Sequence, residues 1–558
     1  MKCAERTLVV ATNCSTKVAA EASSRSAKSL YLSALIALGL GAIASTARAD
    51  DSQYFYILNG DSSVQYSSAD DACQAQYANV KPQIIAEYTD ASTGSYVVIK
   101  PYAGPFPTPG GQDIYSCPTY FDLYNSAGLV SANNDWDAAI QQLAKSCPAG
   151  QTLNIQTEVC EVPTDDQDRK ETGNPLDPLM GGTLGCVLDP VSAPTGNVYE
   201  EEVDYRDADG ELEFVRYYNG LGGGGWSNTY GVALLIDPYG RGFMVTQAGG
   251  RQSAFTVVNG VVVPETTEQG SLTQVGGQWV YSSSSNEQFT FDALGRLVRW
   301  RRANGLAQTL SYTDDSMGNS TATVTDSQGH TLQIVRSAFG IASMTVNGLT
   351  VTYTNDNMYR LSKVTKTWGS HTTSRTYLYE DPVNMLSMTG LVDERGVRVA
   401  TWQYDSQGRA VANSGADGVA SGTLAYNNDT STTVTNALGN AVTYQYQVIQ
   451  GIKRITAIQG APAVGCPASN TAYTYTDRGQ VASRTDALGT VTTYAYDTLG
   501  RETSRVEAKG TPQERTITTT WDPTRFLPLT VTTPDRVTTY TYDDQGRLLS
   551  SSAHAVKE

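Results

Sequence analysis

Tyr540-Thr-Tyr-Asp-Asp-Gln-Gly-Arg547 is a stretch that the chain repeats, and it decides the fold. The same arrangement returns as Tyr494-Ala-Tyr-Asp-Thr-Leu-Gly-Arg501, as Gln403-Tyr-Asp-Ser-Gln-Gly-Arg409 and, with phenylalanine for tyrosine, as Phe289-Thr-Phe-Asp-Ala-Leu-Gly-Arg296. Aromatic residues two positions apart lie on the same face of a β-strand. The aspartate starts a turn, and the glycine supplies a positive φ that other residues avoid. Each copy therefore predicts a strand, a tight turn and the start of a return strand.

The residue types in this motif predict structural roles. The aromatic ring packs between adjacent turns, the aspartate caps its turn, and the glycine permits the backbone conformation. The arginine pairs with neighbouring carboxylates. The residues assigned to these roles are Phe291, Asp292, Gly295, Arg296, Tyr404, Asp405, Gly408, Arg409, Tyr496, Asp497, Gly500, Arg501, Tyr542, Asp543, Gly546 and Arg547.

Weaker copies fill the gaps, so the aromatic position recurs with an average spacing of about 23 residues, as in repeat arrays. Segments rich in Thr and Val, such as Thr516–Thr520, lie between the copies, so each unit supplies two short antiparallel strands. A unit of this size cannot bury its own apolar face, and stacked neighbours must do so. With 33 Tyr and 51 Gly, the composition also favours an all-β fold. The recurring positions are Phe291, Tyr312, Val335, Tyr353, Tyr379, Tyr404, Tyr426, Tyr446, Tyr475, Tyr496, Trp521 and Tyr542.

The motif at this period resembles the YD repeat of the Rhs family, which is related to the C components of insecticidal toxin complexes and to teneurins. The run Leu386–Gly396, continued to Asp405, is also typical of bacterial members. The resemblance covers roughly residues 189–551 and implies a YD-repeat β-hairpin array that winds into a curved shell or barrel wall. In many bacterial members this shell encloses a toxin at the C-terminus. Such members continue into a core segment that has a self-cleavage site and then into a toxin. Neither segment occurs before Glu558, so the resemblance implies the N-terminal part of such a shell.

The net charge of −17 excludes one class of partner. An acidic surface repels phosphate backbones, so no nucleic-acid binding is expected. A well-solvated extracellular surface is the simplest explanation of this charge.

Residues 1–49 resemble a Sec-type signal peptide. The apolar stretch Leu30–Ala44 follows Lys28 and precedes Ala47-Arg-Ala49, which has the A-x-A pattern of a cleavage site. A retained signal anchor is the alternative. We find no other segment that could cross a membrane, so the sequence predicts an exported protein without a membrane span after signal removal.

Removal of this leader leaves an even number of cysteines, which in an exported chain favours disulfides over a metal site or a catalytic thiol. A Cys147–Cys160 disulfide would close a short loop, and Cys73 with Cys117 is the natural second pair. Cys186 and Cys466 then remain. Spacing alone does not fix the connectivity, because six cysteines allow fifteen pairings.

The small N-terminal domain has several local predictions. Strands are expected at Tyr54–Leu58 and Ser95–Lys100. Asp135–Lys145 has helical spacing of its apolar residues, which predicts a helix. The aromatic residues at the start of the domain form either a glycan-binding surface or ordinary core.

Changes in composition divide the chain further. The polar stretch Glu161–Pro175 has no apolar period and predicts a linker. The predicted regions are a signal peptide (1–49), the small cysteine-containing domain (50–165), a linker (166–185), a β-rich domain before the repeats (186–290), the YD-repeat array (291–551) and a tail (552–558).

A search for chemical motifs yields no catalytic, cofactor-binding or metal site. His330, His371 and His554 lie far apart and fit neither a zinc spacing nor a hydrolytic triad. The glycine run 220–225 lacks the Lys-Ser/Thr that a phosphate loop requires. Asp204–Gly210 resembles a calcium loop, yet Arg216 stands where a bidentate glutamate is needed.

The leading functional hypothesis is an exported, non-enzymatic scaffold that forms part of a toxin-delivery shell. Its partner would be a C-terminal toxin or the rest of the shell, encoded downstream. A cell-surface adhesion or carbohydrate-binding module, with surface glycans as partners, is the alternative. A secreted glycosidase or protease ranks third, since carboxylates near one another in space are not visible in a sequence.

Overall fold

Strands form most of the chain in the computed structural model. It describes residues 54–59, 61–107, 114–144, 146–174, 186–187, 191–221, 225–315, 319–418, 421–460 and 470–556. The chain divides into two units by its internal contacts. The smaller unit ends at Cys160 and also includes Asp237–Arg241, and the larger unit comprises Glu161–Ile236 and the chain from Gly242 onward. The predicted all-β class is confirmed.

The smaller unit combines one long helix with short strands. A five-stranded sheet has the order β2-β1-β8-β5-β4, a three-stranded sheet has the order β3-β6-β7, and β9 pairs with β10. The elements are β1 (Tyr54–Leu58), β2 (Asp61–Tyr66), α1 (Ala69–Tyr88), β3 (Tyr96–Ile99), β4 (Phe106–Pro107), β5 (Ile114–Ser116), β6 (Thr119–Asn125), β7 (Gly128–Trp136), β8 (Ala139–Ala144), β9 (Thr152–Asn154) and β10 (Val159–Glu161).

Two disulfides lie in this unit. Cys73–Cys117 joins α1 to the chain after β5, and Cys147–Cys160 closes a loop around β9; their Cα atoms are 5.4 and 5.5 Å apart. Both are the pairings that the cysteine spacing favours. The third predicted pair requires Cys466, which, like the predicted signal peptide, lies outside the described residues.

The predicted helix at Asp135–Lys145 is wrong, because this segment contains the end of β7 and then β8. Ile140 is buried beside Tyr56 and Ala138, whereas Leu143 is buried beside Phe55 and Ile57. β8 is therefore buried on both faces, and residues on opposite faces of a strand produce a spacing of three that imitates a helix.

The helix α1 had no strong sequence signal. Its N-terminus is capped by Ser68, whose Oγ accepts a hydrogen bond of 3.0 Å from the amide of Asp71. The face that it buries consists mostly of small or polar residues, and Pro82 lies inside it. Such a face gives little apolar periodicity, so the pattern did not indicate a helix.

The larger unit begins with a short helix and two small sheets. The helix α2 (Asp168–Glu171) is followed by β11 (Cys186–Val187) and β12 (Val191–Ser192), which pair. A three-stranded sheet contains β13 (Tyr199–Arg206), β14 (Glu213–Asn219) and β15 (Gly225–Asn228), and a four-stranded sheet contains β16 (Ala233–Ile236), β17 (Gly242–Thr246), β18 (Gln252–Val258) and β19 (Val261–Pro264).

An antiparallel sheet of 26 strands follows, with every strand paired to its neighbours in sequence. It starts before the predicted array boundary at 291 and continues beyond Ser551. Its strands are β20 (Ser271–Val275), β21 (Gln278–Ser282), β22 (Gln288–Phe291), β23 (Leu297–Arg301), β24 (Ala307–Asp314), β25 (Ser320–Thr325), β26 (Thr331–Ser337), β27 (Gly340–Val346), β28 (Leu349–Asn355), β29 (Leu361–Trp368), β30 (His371–Leu378), β31 (Gly390–Val392), β32 (Arg398–Tyr404), β33 (Ala410–Gly415), β34 (Gly422–Asn428), β35 (Ser431–Asn436), β36 (Ala441–Ile449), β37 (Ile452–Gly460), β38 (Thr471–Tyr475), β39 (Val481–Thr485), β40 (Val491–Tyr496), β41 (Glu502–Glu507), β42 (Arg515–Trp521), β43 (Pro528–Thr532), β44 (Arg536–Tyr542) and β45 (Leu548–Ala555).

The sheet follows from alternation of apolar and hydroxyl-bearing residues. In β28, Val351 and Tyr353 are buried while Thr350 and Thr352 are exposed. The buried faces join one hydrophobic core that extends from Val191 to Tyr473. The small sheets before the array and the repeats therefore share a core, as stacked units that cannot bury their own faces require.

The sheet curves until turns far apart in sequence meet. The Nδ2 of Asn286 donates to the carbonyl of Phe526 at 2.8 Å across a separation of 240 residues, and the amide of Phe526 donates back to Asn286 Oδ1 at 2.9 Å. The Nε2 of Gln269 donates to the carbonyl of Gly500 at 3.0 Å across 231 residues. One winding of this sheet therefore takes about ten repeats of the period given above.

The polar stretch 161–174, which composition predicts as a linker, belongs to the larger unit and packs against other parts of it. Arg169, Lys170 and Glu171 are all buried. Charged residues are rarely buried without partners, so a polar sequence normally indicates exposure. Here each of them finds a partner far away in sequence, which composition does not reveal.

Candidate functional site

The turn at Asp405 shows how one repeat is built. The carboxylate Oδ1 of Asp405 accepts the amides of Gln407 and Arg409 at 2.9 and 3.0 Å. The backbone closes with Gly408 N donating to Asp405 O at 3.0 Å and Asp405 N donating to Arg409 O at 2.9 Å. Gly408 has φ of +79°, and the strand register shifts by one residue beside the turn. This is a type I turn with a glycine bulge, a common three-residue hairpin loop.

The same bonds form at the other predicted turns. Asp292, Asp497 and Asp543 each accept two amides through Oδ1, at distances between 2.8 and 3.0 Å. Gly295, Gly500 and Gly546 all have positive φ. The motif residues thus form the predicted capped turns.

The arginine of each turn contacts a partner within its own turn. Arg409 Nε donates to Asp405 Oδ2 at 2.9 Å, and Arg501 Nε donates to Asp497 Oδ2 at 2.7 Å. The guanidinium of Arg409 also lies 4.0 Å from the ring centroid of Tyr426, the aromatic residue of the next repeat. Each arginine therefore pairs with its capping aspartate, Arg296 also pairs with Asp314 at 2.9 Å, and Arg409 adds a cation–π contact.

In several repeats the tyrosine hydroxyl connects the repeat to the one before it. Tyr426 OH donates to the carbonyl of Ala410 at 2.5 Å, and Tyr496 OH donates to that of Val481 at 2.8 Å. These acceptors are the first residues after the preceding turns. Tyr404 OH likewise donates to Met388 O at 2.6 Å, and burial raises the pKa of Tyr404. The hydroxyls of Tyr426 and Tyr496 therefore fix the start of the preceding return strand, while the packing of the rings between adjacent turns stays a prediction.

Comparison with known proteins identifies this unit. Residues 475–512, which contain the Tyr496–Arg501 turn, match the family model described as RHS Repeat. The chain carries an RHS repeat. The turns at Asp292, Asp405 and Asp543 have the same residues and bonds as the matched segment, so we use this name for all of them.

Some of the solved structures that the chain matches in part are of Tc toxins. The Tc holotoxin pore of Photorhabdus luminescens, with a substitution in TccC3, is 14% identical, with 64% of this chain and 19% of that chain covered at a TM-score of 0.32. The TcdB2–TccC3 complex without its hypervariable C-terminal region gives the same values. The TcdB2–TccC3–TEV complex is 14% identical, covering 80% of this chain and 28% of that chain at a TM-score of 0.27. This chain spans less than a third of each of those chains. None of the curated proteins matches the sequence.

A second type of turn was missed by sequence reasoning. Asn436 and Asp486 cap turns with the same two amide bonds as Asp405, and Gly439 and Gly489 have positive φ. Successive hairpin turns alternate between the two ends of the strands, so they form two rows, which we call the two edges of the sheet. The turns at Asn436 and Asp486 therefore lie on the edge opposite to that of the RHS arginines. The signal was Asp/Asn-Ala-Leu-Gly, which lacks the arginine.

A buried ion cluster occupies the region where the sequence resembles a calcium loop. Arg216 Nε lies 2.5 Å from Asp204 Oδ2, and Arg216 Nη2 lies 3.3 Å from Glu202 Oε2. Tyr353 OH donates to Asp204 at 2.9 Å and Tyr377 OH donates to Glu202 at 2.9 Å. The guanidinium thus takes the place that a cation would need. Sequence reasoning identified Arg216 as a misfit but not its role of joining β14 to the repeats.

Two cavities of about 300 Å³ occur among the described residues. One lies between β14 and the β21–β23 hairpins, where Glu213 and Glu287 form part of the wall. Both carboxylates already have partners, because Glu213 binds Arg206 and Arg302, and Glu287 accepts the indole N–H of Trp300 at 3.1 Å. The cavity therefore offers no uncommitted charged group to a ligand.

The three histidines lie apart from one another. His330 contacts Asp326 in a turn at 2.8 Å, His371 stacks on Trp368, and His554 lies on the exposed β45. Within the described ranges no group of three metal-ligating side chains is arranged to hold a metal ion. The helices described here are also too short or too polar to cross a membrane.

Proposed function

We propose that this chain is a non-enzymatic RHS-repeat scaffold that forms part of a wall around, or beside, another polypeptide. The observation that carries the proposal is the double linkage of the repeats. Arginine and tyrosine join several units to their neighbours, and Asn286 and Gln269 join segments more than 200 residues apart. These contacts use the motif side chains for construction, which leaves the polar surface of the sheet as the part that meets a partner.

Export belongs to the same proposal. The leader at residues 1–49 has the composition of a signal peptide. The disulfides Cys73–Cys117 and Cys147–Cys160 support an oxidising destination, because disulfides rarely persist in the cytosol. The partner that we propose is a toxin or a further shell segment encoded downstream of codon 558.

Protection from protease tests this function. The native locus, including any reading frame after codon 558, is expressed intact, and the product is digested and analysed by mass spectrometry. A scaffold predicts a protected fragment from the downstream product. Asn286→Gly keeps the positive φ of residue 286 but removes both bonds to Phe526, so it should expose that fragment.

The matched control is Asn259→Gly at an exposed hairpin tip with the same backbone conformation, where φ is +52°. It should leave the protected fragment unchanged. A downstream product that is digested as fast with the wild-type chain as without it would overturn the scaffold proposal.

An adhesive function is the second candidate, and one observation favours it. The ring of Tyr96 is half exposed and stacks on that of Tyr124 with centroids 5.1 Å apart, and Val98 and Leu129 are exposed beside it. Aromatic side chains with a polar hydroxyl suit contact with sugar rings. Binding of the full chain to a glycan array should disappear in Tyr96→Ala but persist in Tyr359→Asn, which alters another exposed tyrosine. An array without any bound glycan removes this candidate.

A further inference from the structure

Residues 161–174, hereafter the strap, lie across two hairpins of the larger unit. On its first side the strap contacts Glu265, which follows β19. Arg169 donates two hydrogen bonds to the Glu265 carboxylate, at 2.9 and 2.8 Å, and Lys170 Nζ lies 2.8 Å from Glu265 Oε2. Glu161 also pairs with Arg169. This side of the strap is a buried, well-compensated ion cluster.

On its second side the strap is hydrogen-bonded to the tip of the β36–β37 hairpin. The amide of Gln167 donates to Gly451 O at 3.1 Å, and the amide of Gly451 donates to Pro163 O at 2.8 Å. Lys170 Nζ donates to Gln450 O at 2.9 Å, across a separation of 280 residues. Any side chain at Gly451 would collide with Gln167, so the contact is close.

A buried acid lies between these two sides. Glu171 is 4% exposed, and its Oε1 accepts the amide of Lys453 at 2.6 Å. Its Oε2 is buried and accepts no hydrogen bond from a described residue, and the Asp166 carboxylate beside Glu171 can form a hydrogen bond with it only when one of the two acids carries a proton. Burial, followed by the neighbouring carboxylate of Asp166, raises the pKa of Glu171 well above its ordinary value.

The charges around Glu171 do not compensate its ionised form. Asp166 and Asp168 lie on the strap itself, and Lys453, which pairs with Asp166, is the cation that faces them from β37. Tyr446 faces Lys453 from β36, and burial with the charge of Asp166 raises the pKa of Asp168 as well. Lys453 is therefore one positive charge near three carboxyl groups, those of Glu171, Asp166 and Asp168. The closed strap consequently favours a neutral Glu171.

Glu265 has the opposite behaviour. Burial alone would raise its pKa, but the charges and hydrogen bonds of Arg169 and Lys170 outweigh burial and lower the pKa to about 2. Glu171 on the strap and Glu265 beneath it thus prefer opposite protonation states.

From this geometry we propose that the strap is a pH-dependent clasp on the repeat array. It is closed over the β36–β37 hairpin while Glu171 carries a proton, and it leaves Gly451 when Glu171 ionises. Its contacts with Glu265 are retained during that opening, because they depend on an ionised carboxylate.

The sign of the effect follows from proton linkage. An open strap returns Glu171 to an ordinary glutamate pKa of about 4.3. Between that value and the raised pKa of the closed state, opening releases one proton, so the opening constant rises about tenfold per pH unit. The Glu265 contacts weaken in the other direction, as pH falls from about 4.3 towards its lowered pKa of about 2. The clasp is therefore tightest in mildly acidic solution and loosens as pH rises.

Amide hydrogen exchange of the full chain between pH 6 and 9 tests the clasp. The reporters are the amides of Gln167, Gly451 and Lys453, which are bonded only in the closed state. After correction for intrinsic exchange, their protection should fall about tenfold per pH unit for as long as pH lies below the raised pKa of Glu171, and should level off above it. The amide of Ala254, which donates to Glu265 at 2.9 Å, should keep its protection.

Two variants of the strap distinguish the titration of Glu171 from a general loss of strap structure. Glu171→Gln keeps the size and the acceptor of the side chain but cannot ionise, so the reporters should stay protected with no slope. Asp168→Asn removes a charge from the same strap and should keep the slope. A flat profile in the wild type overturns the proposal, and so does a slope that survives in Glu171→Gln. Should Glu171→Gln fail to fold, the wild-type profile decides alone.

Discussion

The turns at Asp405 and Asp486 have the same backbone but lie on opposite edges of the sheet. In both, one carboxylate oxygen accepts two amides and a glycine three residues later has positive φ. They differ at the fifth position, which is Arg409 in the first turn and Thr490 in the second. The arginine reaches both the second carboxylate oxygen and the ring of the next repeat.

The comparison separates two functions of the RHS motif. Aspartate and glycine specify the turn, and asparagine at position 436 accepts the same two amide hydrogen bonds. Arginine and tyrosine specify the connection between repeats. The contact between windings involves both edges, because Phe526 lies in a turn of the arginine edge whereas Asn286 lies in the β21–β22 turn of the opposite edge. Because the arginines connect repeats, a change in a turn should cost more on the arginine edge than on the other edge.

Gly295→Ala should have the largest effect. A Cβ there would overlap the carbonyl oxygen of Leu234, and φ at this position is +76°. Strain in the left-handed region and overpacking against backbone should together lower the free energy of unfolding by about 3 kcal/mol or more. Gly489→Ala is the control, because it has the same strain at φ +81° with open space around it. Urea denaturation of the two variants should show clearly unequal losses, and equal losses would contradict the close approach of Leu234.

Asp405→Ala should rank second. It removes the acceptor of two amides and the partner of Arg409, a loss of about 1–2 kcal/mol. Asp486→Ala removes the same two amide bonds without an arginine and should lose less. Thermal unfolding of both variants measures the contribution of the arginine. The separation of roles would fail if the Asp486 variant were the less stable of the two.

Tyr496→Phe should have a smaller effect, about 1 kcal/mol, because the Val481 carbonyl loses its donor while the ring stays packed. Tyr494 lies on the same strand, and its hydroxyl makes no hydrogen bond within the described chain. Tyr494→Phe should therefore be close to neutral in the same unfolding experiment. A neutral Tyr496→Phe would indicate that the hydroxyl bond does not couple repeats.

Acidification should produce the smallest difference between turns, and it should be confined to the amides that the capping side chain binds. The pKa of Asp405 is lowered by Arg409 and by two amides, against the opposing effect of burial. Its stabilisation is present above the ordinary aspartate pKa of about 3.9 and is lost as pH falls through the lowered value. The Asn436 turn cannot titrate. Hydrogen exchange below pH 4 should therefore show the amide of Arg409 losing protection while that of Asn440 keeps it, and parallel losses would contradict the capping role.

Local features of the array could be predicted from the sequence, since neighbouring residues determine them. Tyr404, Asp405 and Gly408 follow strand and turn rules that act within a few residues. The helix at 135–145 was wrong because the pattern does not reveal that β8 is buried on both faces. The partner of Arg216, the acceptor of Tyr496 and the burial of Glu171 depend on strands that fold back from elsewhere, which local rules do not describe.

The contact between Asn286 and Phe526 also affects when the chain can finish folding during its synthesis. Each hairpin can form as soon as its two strands leave the ribosome, because its contacts are local. The seam between windings has to wait for 240 further residues, which take roughly 12–48 s to synthesise. During that interval the growing sheet exposes an unpaired strand and an uncovered row of turns, which favours aggregation. We expect the nascent chain to need a holding chaperone or rapid export until its first winding closes.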